Sequence, residues 1–134
     1  MIITSAHDQA GTAGKKGSQF TGAAYPYLTM PATDGVTINT VTFTPGARTF
    51  WHRHEHGQIL QVLAGRGRIQ SEGTDVEWLR AGDTVWIPPG ERHWHGADAD
   101  AFMVHVAISL GETQWEEPLS EDDYETATPK GSAR

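Results

Sequence analysis

The sequence predicts an all-β barrel built round one metal site, and three observations predict it. Fifteen glycines and seven prolines punctuate short runs rich in β-branched residues, which is the pattern of many strands and tight turns rather than helices. Residues 46–67, GARTFWHRHEHGQILQVLAGRG, set His52 and His54 two positions apart with Gln58 soon after. Residues i and i+2 of a strand point to the same face, so these imidazoles aim at one point. The Gln58 amide oxygen follows after a short turn through Glu55, His56 and Gly57. Residues 82–95, GDTVWIPPGERHWH, add His93 just past a Pro-Pro-Gly turn. Three imidazole nitrogens and one amide oxygen converging inside a barrel make a divalent metal site.

Residues 1–17 carry little apolar periodicity and are expected to form a flexible N-terminal arm, with 18–134 as a single barrel domain. His7 stands alone in that arm. Phe20, Tyr25, Tyr27 and Leu28 are expected to lie over the barrel mouth or side, because Pro26 and Pro31 keep the segment from being a central strand. Residues 36–44, VTINTVTFT, read as a strand. Val36 and Ile38 fall on one phase and Val41 and Phe43 on the other, so a bulge is expected near Asn39 and Thr40. After the Pro45-Gly46 turn, residues 48–54 form the strand carrying His52 and His54. Residues 58–64, QILQVLA, form the next strand, which the tight intervening turn predicts to be its neighbour. Gly65-Arg66-Gly67 reads as a turn into residues 68–71. The Glu72-Gly73-Thr74-Asp75 hairpin leads into 76–79, and Ala81-Gly82-Asp83 leads into 84–87.

Residues 94–96 follow His93 and carry His95 onto the same face if the strand continues. Residues 101–110, AFMVHVAISL, form the last clear strand. Phe102, Val104, Val106 and Ile108 share an apolar face suited to sheet or subunit packing, which predicts a homodimer or higher homo-oligomer. Met103, His105, Ala107 and Ser109 share a mixed face suited to a cavity lining. Residues 118–124 read as a short helix start, with Ser120 as N-cap, Asp123 at the capping-box position and acids at the positive end. Residues 126–134 are expected to fray.

A chain of 134 residues is one domain by size. Its net charge of −7 argues against nucleic acid and against an anionic membrane surface as partners, leaving a small-molecule substrate. No apolar run approaches a bilayer span, and Met1-Ile2-Ile3 is too short for a signal peptide core. Cysteine is absent, which suits the cytoplasm and excludes thiol chemistry.

Gly46, His52, His54 and Gly65 stand at the spacing of the first cupin motif, with Gln58 where that family usually has Glu. Gly82, Pro88, Gly90 and His93 match its second motif, and Ala97 departs from it. The chain therefore resembles the cupin family, which implies a double-stranded β-helix, or jelly-roll, barrel with here a short C-terminal helix. PGARTFWHRHEHGQ, AGDTVWIPPGERHWHGA, FMVHVAI and the upstream SQFTG are similar to the small single-domain metal cupins that include the bacterial manganese-dependent hydroxynitrile lyases. That resemblance implies His52, His54, Gln58 and His93 as metal ligands and His105 as proton acceptor from a cyanohydrin hydroxyl. It also implies Asn39, Val41 and Ser109 as pocket lining.

An all-neutral ligand set leaves the ion's charge uncompensated, which makes it a strong Lewis acid. One divalent ion is expected, Mn2+ foremost, with Fe2+, Zn2+, Ni2+ and Co2+ also suited to three imidazoles and an amide. Buried beside such an ion, His105 and His95 stay neutral and serve as bases near pH 7. His56 falls in a turn and is not expected to ligate. Trp51, Trp86 and Trp94 are expected in the core or cavity wall. Arg48 has the chemistry to orient an anion, and Arg53 is expected on a solvated face. The activity predicted is a metal-dependent lyase acting on a small carbonyl or hydroxy compound. Its alternatives are an iron-dependent dioxygenase and a non-catalytic metal or small-molecule binder.

Overall fold

The computed structural model describes residues 1–8 and 14–131. Part of the expected N-terminal arm (residues 9–13) and of the expected C-terminal fraying (132–134) lies outside them. The strands are β1 (Phe20–Thr21), β2 (Ala24–Thr33), β3 (Val36–Phe43), β4 (Arg48–Thr49), β5 (His52–His54) and β6 (Gln58–Ser71). They continue as β7 (Glu77–Arg80), β8 (Thr84–Ile87), β9 (His93–Ala97), β10 (Met103–Leu110) and β11 (Thr113–Trp115), followed by one helix, α1 (Glu121–Thr126).

The strands form a nearly closed jelly-roll barrel of two antiparallel layers. The first runs β2-β3-β10-β6-β8. The second runs β7-β6-β9 and then the broken strand β4/β5, flanked in turn by β1 and β11. β6 belongs to both. Its fourteen residues pass straight through Gly65-Arg66-Gly67, so the expected turn there is instead a bend within one strand. The register with β10 slips between Val104 and His105, opposite Ala64 and Val62, and this offset turns β6 from one layer into the other.

Three other expectations change. β3 pairs with β10 without interruption, so no bulge sits at Asn39 and Thr40. Val41 and Phe43 face the interior while Val36 and Ile38 lie half-buried on the outside, and both phases are used. The register offsets fall instead on β2, between Leu28 and Met30 and between Met30 and Thr33. β2 itself is a ten-residue strand at the edge of its layer, the position where Pro26 and Pro31 are tolerated. Lastly, β5 and β6 are not neighbours: β5 pairs with β9 and β11, while the start of β6 pairs with β8 and β10. Gly57 allows this change of layer. Its φ is +99°, and a Cβ there would stand 2.6 Å from the Trp86 ring and 2.8 Å from the Ile87 carbonyl.

Phe43, Leu60, Val62, Leu79, Ile87 and Met103 form the main core between the layers. A second cluster forms where α1 covers the outer face of β9. Trp94, 0 % exposed, packs there with Leu119 and Tyr124, and its Nε1 donates to Gln70 Oε1 at 3.0 Å. Ser120 caps α1 by accepting from Asp123 N, as the sequence predicts. Arg68 binds Asp98 at 2.6 Å and also donates to the Tyr124 and Ala127 carbonyls at the helix C-terminus. Tyr124 Oη donates to Ala97 O at 2.8 Å. The helix is thereby fastened to the strand whose inner face carries His93 and His95.

Candidate metal centre

β5 and β9 bring the histidines together because alternate residues of each point inward. His52 lies directly opposite His93 in the ladder. β9 continues past His93, so His95 shares its face, and the two rings stack at 20° with centroids 5.6 Å apart. His54 lies beside them, its ring centroid 5.0 Å from His52 and 5.5 Å from His93. His52, His93 and His95 each place a ring nitrogen within 4.8 Å of the others. Gln58, at the start of β6, reaches the same point, with its Oε1 3.2 Å from His93 Nε2.

The hydrogen bonds around the cluster decide which atoms face inward. His52 Nδ1 lies 2.8 Å from Phe50 O, and His93 Nδ1 lies 2.9 Å from Glu91 O. A carbonyl only accepts, so each Nδ1 carries the proton and each Nε2 presents a lone pair. His54 Nδ1 pairs with Thr113 Oγ1 at 3.0 Å, and its Nε2 is buried without a partner. Gln58 Nε2 donates to Ser109 Oγ at 3.0 Å, which holds the amide with its oxygen inward. His95 Nδ1 and His105 Nε2 are hydrogen-bonded at 2.9 Å.

Burial keeps all five imidazoles neutral near pH 7. It pushes His52 and His95 well below the ordinary 6.5, with neighbouring histidines adding to the effect. It lowers His93 as well, and takes His54 and His105 to about 4. Neutral His93 Nε2 therefore faces Gln58 Oε1, lone pair to lone pair, at 3.2 Å. That contact is unfavourable by itself, and so is the orphaned His54 Nε2, since a buried unsatisfied polar group costs about 1–3 kcal/mol. A shared cation turns both into attractions, and about 3 Å is the spacing of adjacent ligands on a small ion with bonds of about 2.1 Å. The residues present fit a divalent metal. The two Nδ1–H donations to backbone carbonyls are the kind of outer support that fixes ligand histidines.

The cluster forms one wall of a cavity of about 540 Å³. Asn39 and Val41 of β3 and His105, Ala107 and Ser109 of β10 line it. Phe20, Phe43 and Trp115 form an aromatic strip along it, with Phe20 centroids 5.8 Å from Phe43 and 6.3 Å from Trp115. The Trp115 ring also lies 4.6 Å from that of His52.

Comparison with known proteins decides the family. Residues 39–109 match the cupin domain (Cupin_2), and the chain is 43% identical over 111 residues to an (R)-mandelonitrile lyase of Granulicella tundricola. The chain belongs to the cupin family. That alignment covers 78% of this cupin and 85% of the relative. A crystal structure of a cupin-like protein from Thermotoga maritima superposes with a TM-score of 0.83 at 38% identity, covering 90% of this chain and 96% of that one. A polyketide cyclase from Streptomyces resistomycificus shares the fold, with a TM-score of 0.69 at 19% identity over 93% and 91% of the two chains.

Several sequence expectations for this cupin end elsewhere. Arg48 is buried but turns away from the cavity, pairing with Glu121 at 2.9 Å beneath α1. Trp94 is a core residue, as expected, and the half-buried Trp51 packs against the same cluster under α1; Trp86 departs from the expectation, lying 54 % exposed on the outside, and none of the three lines the cavity. His56 is exposed, in line with its turn position, and Arg53 lies on the outer side, paired with Glu116. Sequence reasoning missed Trp115 and Thr113 as parts of the site, and placed Phe20 only over the barrel mouth or side. Residues 113–115 carry only a brief alternation, and the supporting Phe50 and Glu91 carbonyls leave no trace in residue identity. Both do precede their histidine by two positions, a repeat visible only after the structure.

Proposed function

We propose that this cupin is a metal-dependent carbon–carbon lyase that cleaves or forms an aromatic cyanohydrin. His52, His54, Gln58 and His93 hold one divalent ion, with Mn2+ the first choice. His95 belongs to the tight nitrogen group, but its bond to His105 favours a role linking that residue to the cluster. The observation that carries the reading is the inward meeting of His93 Nε2 and Gln58 Oε1 at 3.2 Å, two neutral acceptors that a shared cation reconciles.

A bound ion would supply a positive Lewis acid, uncompensated by any ligand charge. This chain's own residues do the rest. The cavity seats a ring against Phe20, Phe43 and Trp115, and Asn39, Val41 and Ser109 complete the lining. An arriving hydroxyl competes with His95 for His105 Nε2 and passes its proton there. The oxygen's electrons form the carbonyl as the carbon–carbon bond breaks, its pair leaving with cyanide. Cyanide then takes the proton back from His105 and leaves as hydrogen cyanide. The (R)-mandelonitrile lyase relative at 43% identity supports this choice of substrate.

Elemental analysis of the purified protein, joined to mandelonitrile cleavage under strict exclusion of oxygen, tests the reading. Oxygen-independent cleavage with stoichiometric metal is expected. Stoichiometric iron with substrate-dependent oxygen uptake would point to a dioxygenase instead, and metal without any turnover to a binding protein. His105→Ala is expected to keep the metal and lose about 10²–10⁴ in turnover, the range for general base removal. Unchanged turnover would remove His105 from the mechanism.

A further inference from the structure

The ligand strands are held together from outside the barrel as well as from within. Arg53 stands between His52 and His54 on β5 and so points outward where they point in. Arg92 immediately precedes His93. Both guanidinium groups converge on one carboxylate just past β11: Glu116 Oε2 lies 2.6 Å from Arg53 Nε, and Oε1 lies 2.7 Å from Arg92 Nε. Each carboxylate oxygen thus serves a different ligand-bearing segment.

We propose that Glu116 is a positioning residue for the metal centre, an outer clamp that sets the spacing of His52 and His54 against His93. The proposal rests on the metal reading above. The backbone ties these segments at few points: β5 has three residues, meets β9 at the single pair His52–His93, and accepts one further bond, from Gly90 N to His54 O at 2.9 Å. Glu116 is well placed to supply the missing constraint. Its side chain is 17% exposed and that of Arg92 11%, so the pair is shielded from solvent compared with an ordinary surface bridge. Arg92 is itself immobilised: its guanidinium lies 4.2 Å over the Trp51 ring and also pairs with Glu72 and Glu117. The Glu116 segment is anchored in turn by Glu116 N donating to Trp51 O and Trp51 N donating to Glu117 O. Hydrogen bonds from Arg53 and then Arg92 hold the Glu116 carboxyl below the usual range, so the clamp is charged at neutral pH.

The test uses Co2+ alone as probe, titrated into the metal-free full chain and followed by visible absorption and chelator competition. Glu116→Gln is nearly isosteric but leaves two guanidinium groups with no shared charge. It is expected to weaken Co2+ binding by about tenfold, the lower end of outer-shell effects, with the melting temperature of the metal-free protein little changed. Wild-type affinity is expected to fall with added salt more steeply than that of the variant. Glu72→Gln removes a partner of Arg92 that does not reach β5, and should bind Co2+ as the wild type does. Equal affinity for Glu116→Gln and wild type, or an equal loss in Glu72→Gln, would overturn the clamp. If Glu116→Gln does not fold, Arg53→Gln releases the β5 arm alone and carries the same comparison. A wild type that takes up no Co2+ would bring down the metal reading and the clamp with it.

Discussion

Gln58 sets the charge of the centre. A carboxylate at this position would add an anion to the ligand set, whereas the amide adds only a dipole, held inward by its donation to Ser109 Oγ at 3.0 Å. Gln58→Glu is therefore expected to tighten metal binding by on the order of tenfold or more and to lower turnover, since the ion's charge is then partly spent. Chelator competition and steady-state rates check both halves, and a faster lyase would contradict the charge argument. The histidines make a second prediction. His54 and His105 titrate near 4 in the fold against an ordinary 6.5, because burial disfavours their charged forms. Between those values the unfolded chain binds more protons than the folded one. Stability of the metal-free protein is thus full above about pH 6.5 and is lost as the pH falls toward 4. Denaturant midpoints at pH 7 and 5 should differ in that direction, and bound metal should oppose the loss until its ligands protonate.

At the scale of elements, the site is divided between strands the sequence announces and strands it does not. β5, β9 and β10 carry His52, His54, His93, His95 and His105 at alternate positions, and a two-residue period needs no tertiary information to be read. Gly57 marks where β5 gives way to β6, and the Pro-Pro-Gly turn leads into β9. What stayed hidden depends on pairing. β5 passes its neighbour in sequence and pairs with β9 and β11, a choice made by the change of layer at Gly57. The bend of β6 at Gly65 reads as a turn because nothing local reveals that both halves stay hydrogen-bonded to separate partners. The β11 contribution was illegible for the same reason: Trp115 matters only because its strand lies against His52. Trp115→Ala is expected to raise KM for an aromatic cyanohydrin by about tenfold while leaving an aliphatic one nearly unaffected. An equal effect on both substrates would show that the ring supports His52 rather than the substrate.

At the scale of the molecule, the outer surface of the β3-β10-β6-β8 layer leaves Leu63, Trp86 and Phe102 at least half exposed, beside half-buried Ile59, Val104, Val106 and Ile108. We expect a second copy of this chain to cover that face. Sedimentation should give twice the chain mass, and Trp86→Glu should return the monomer. A wild-type monomer at all accessible concentrations would refute the expectation.

β6 gives Gln58 to the cavity at one end and Arg68 to the helix anchor at the other, as one fourteen-residue ribbon shared by both layers. A ribbon shared in this way keeps the two layers from parting along β6. Breathing is then left to the two-residue β1 and three-residue β11 at the rim, beside the Phe20 and Trp115 rings. Amide exchange should be fast in those two short strands and slow along β6, and that gradient would make the rim, not the body of the barrel, the door through which small molecules come and go.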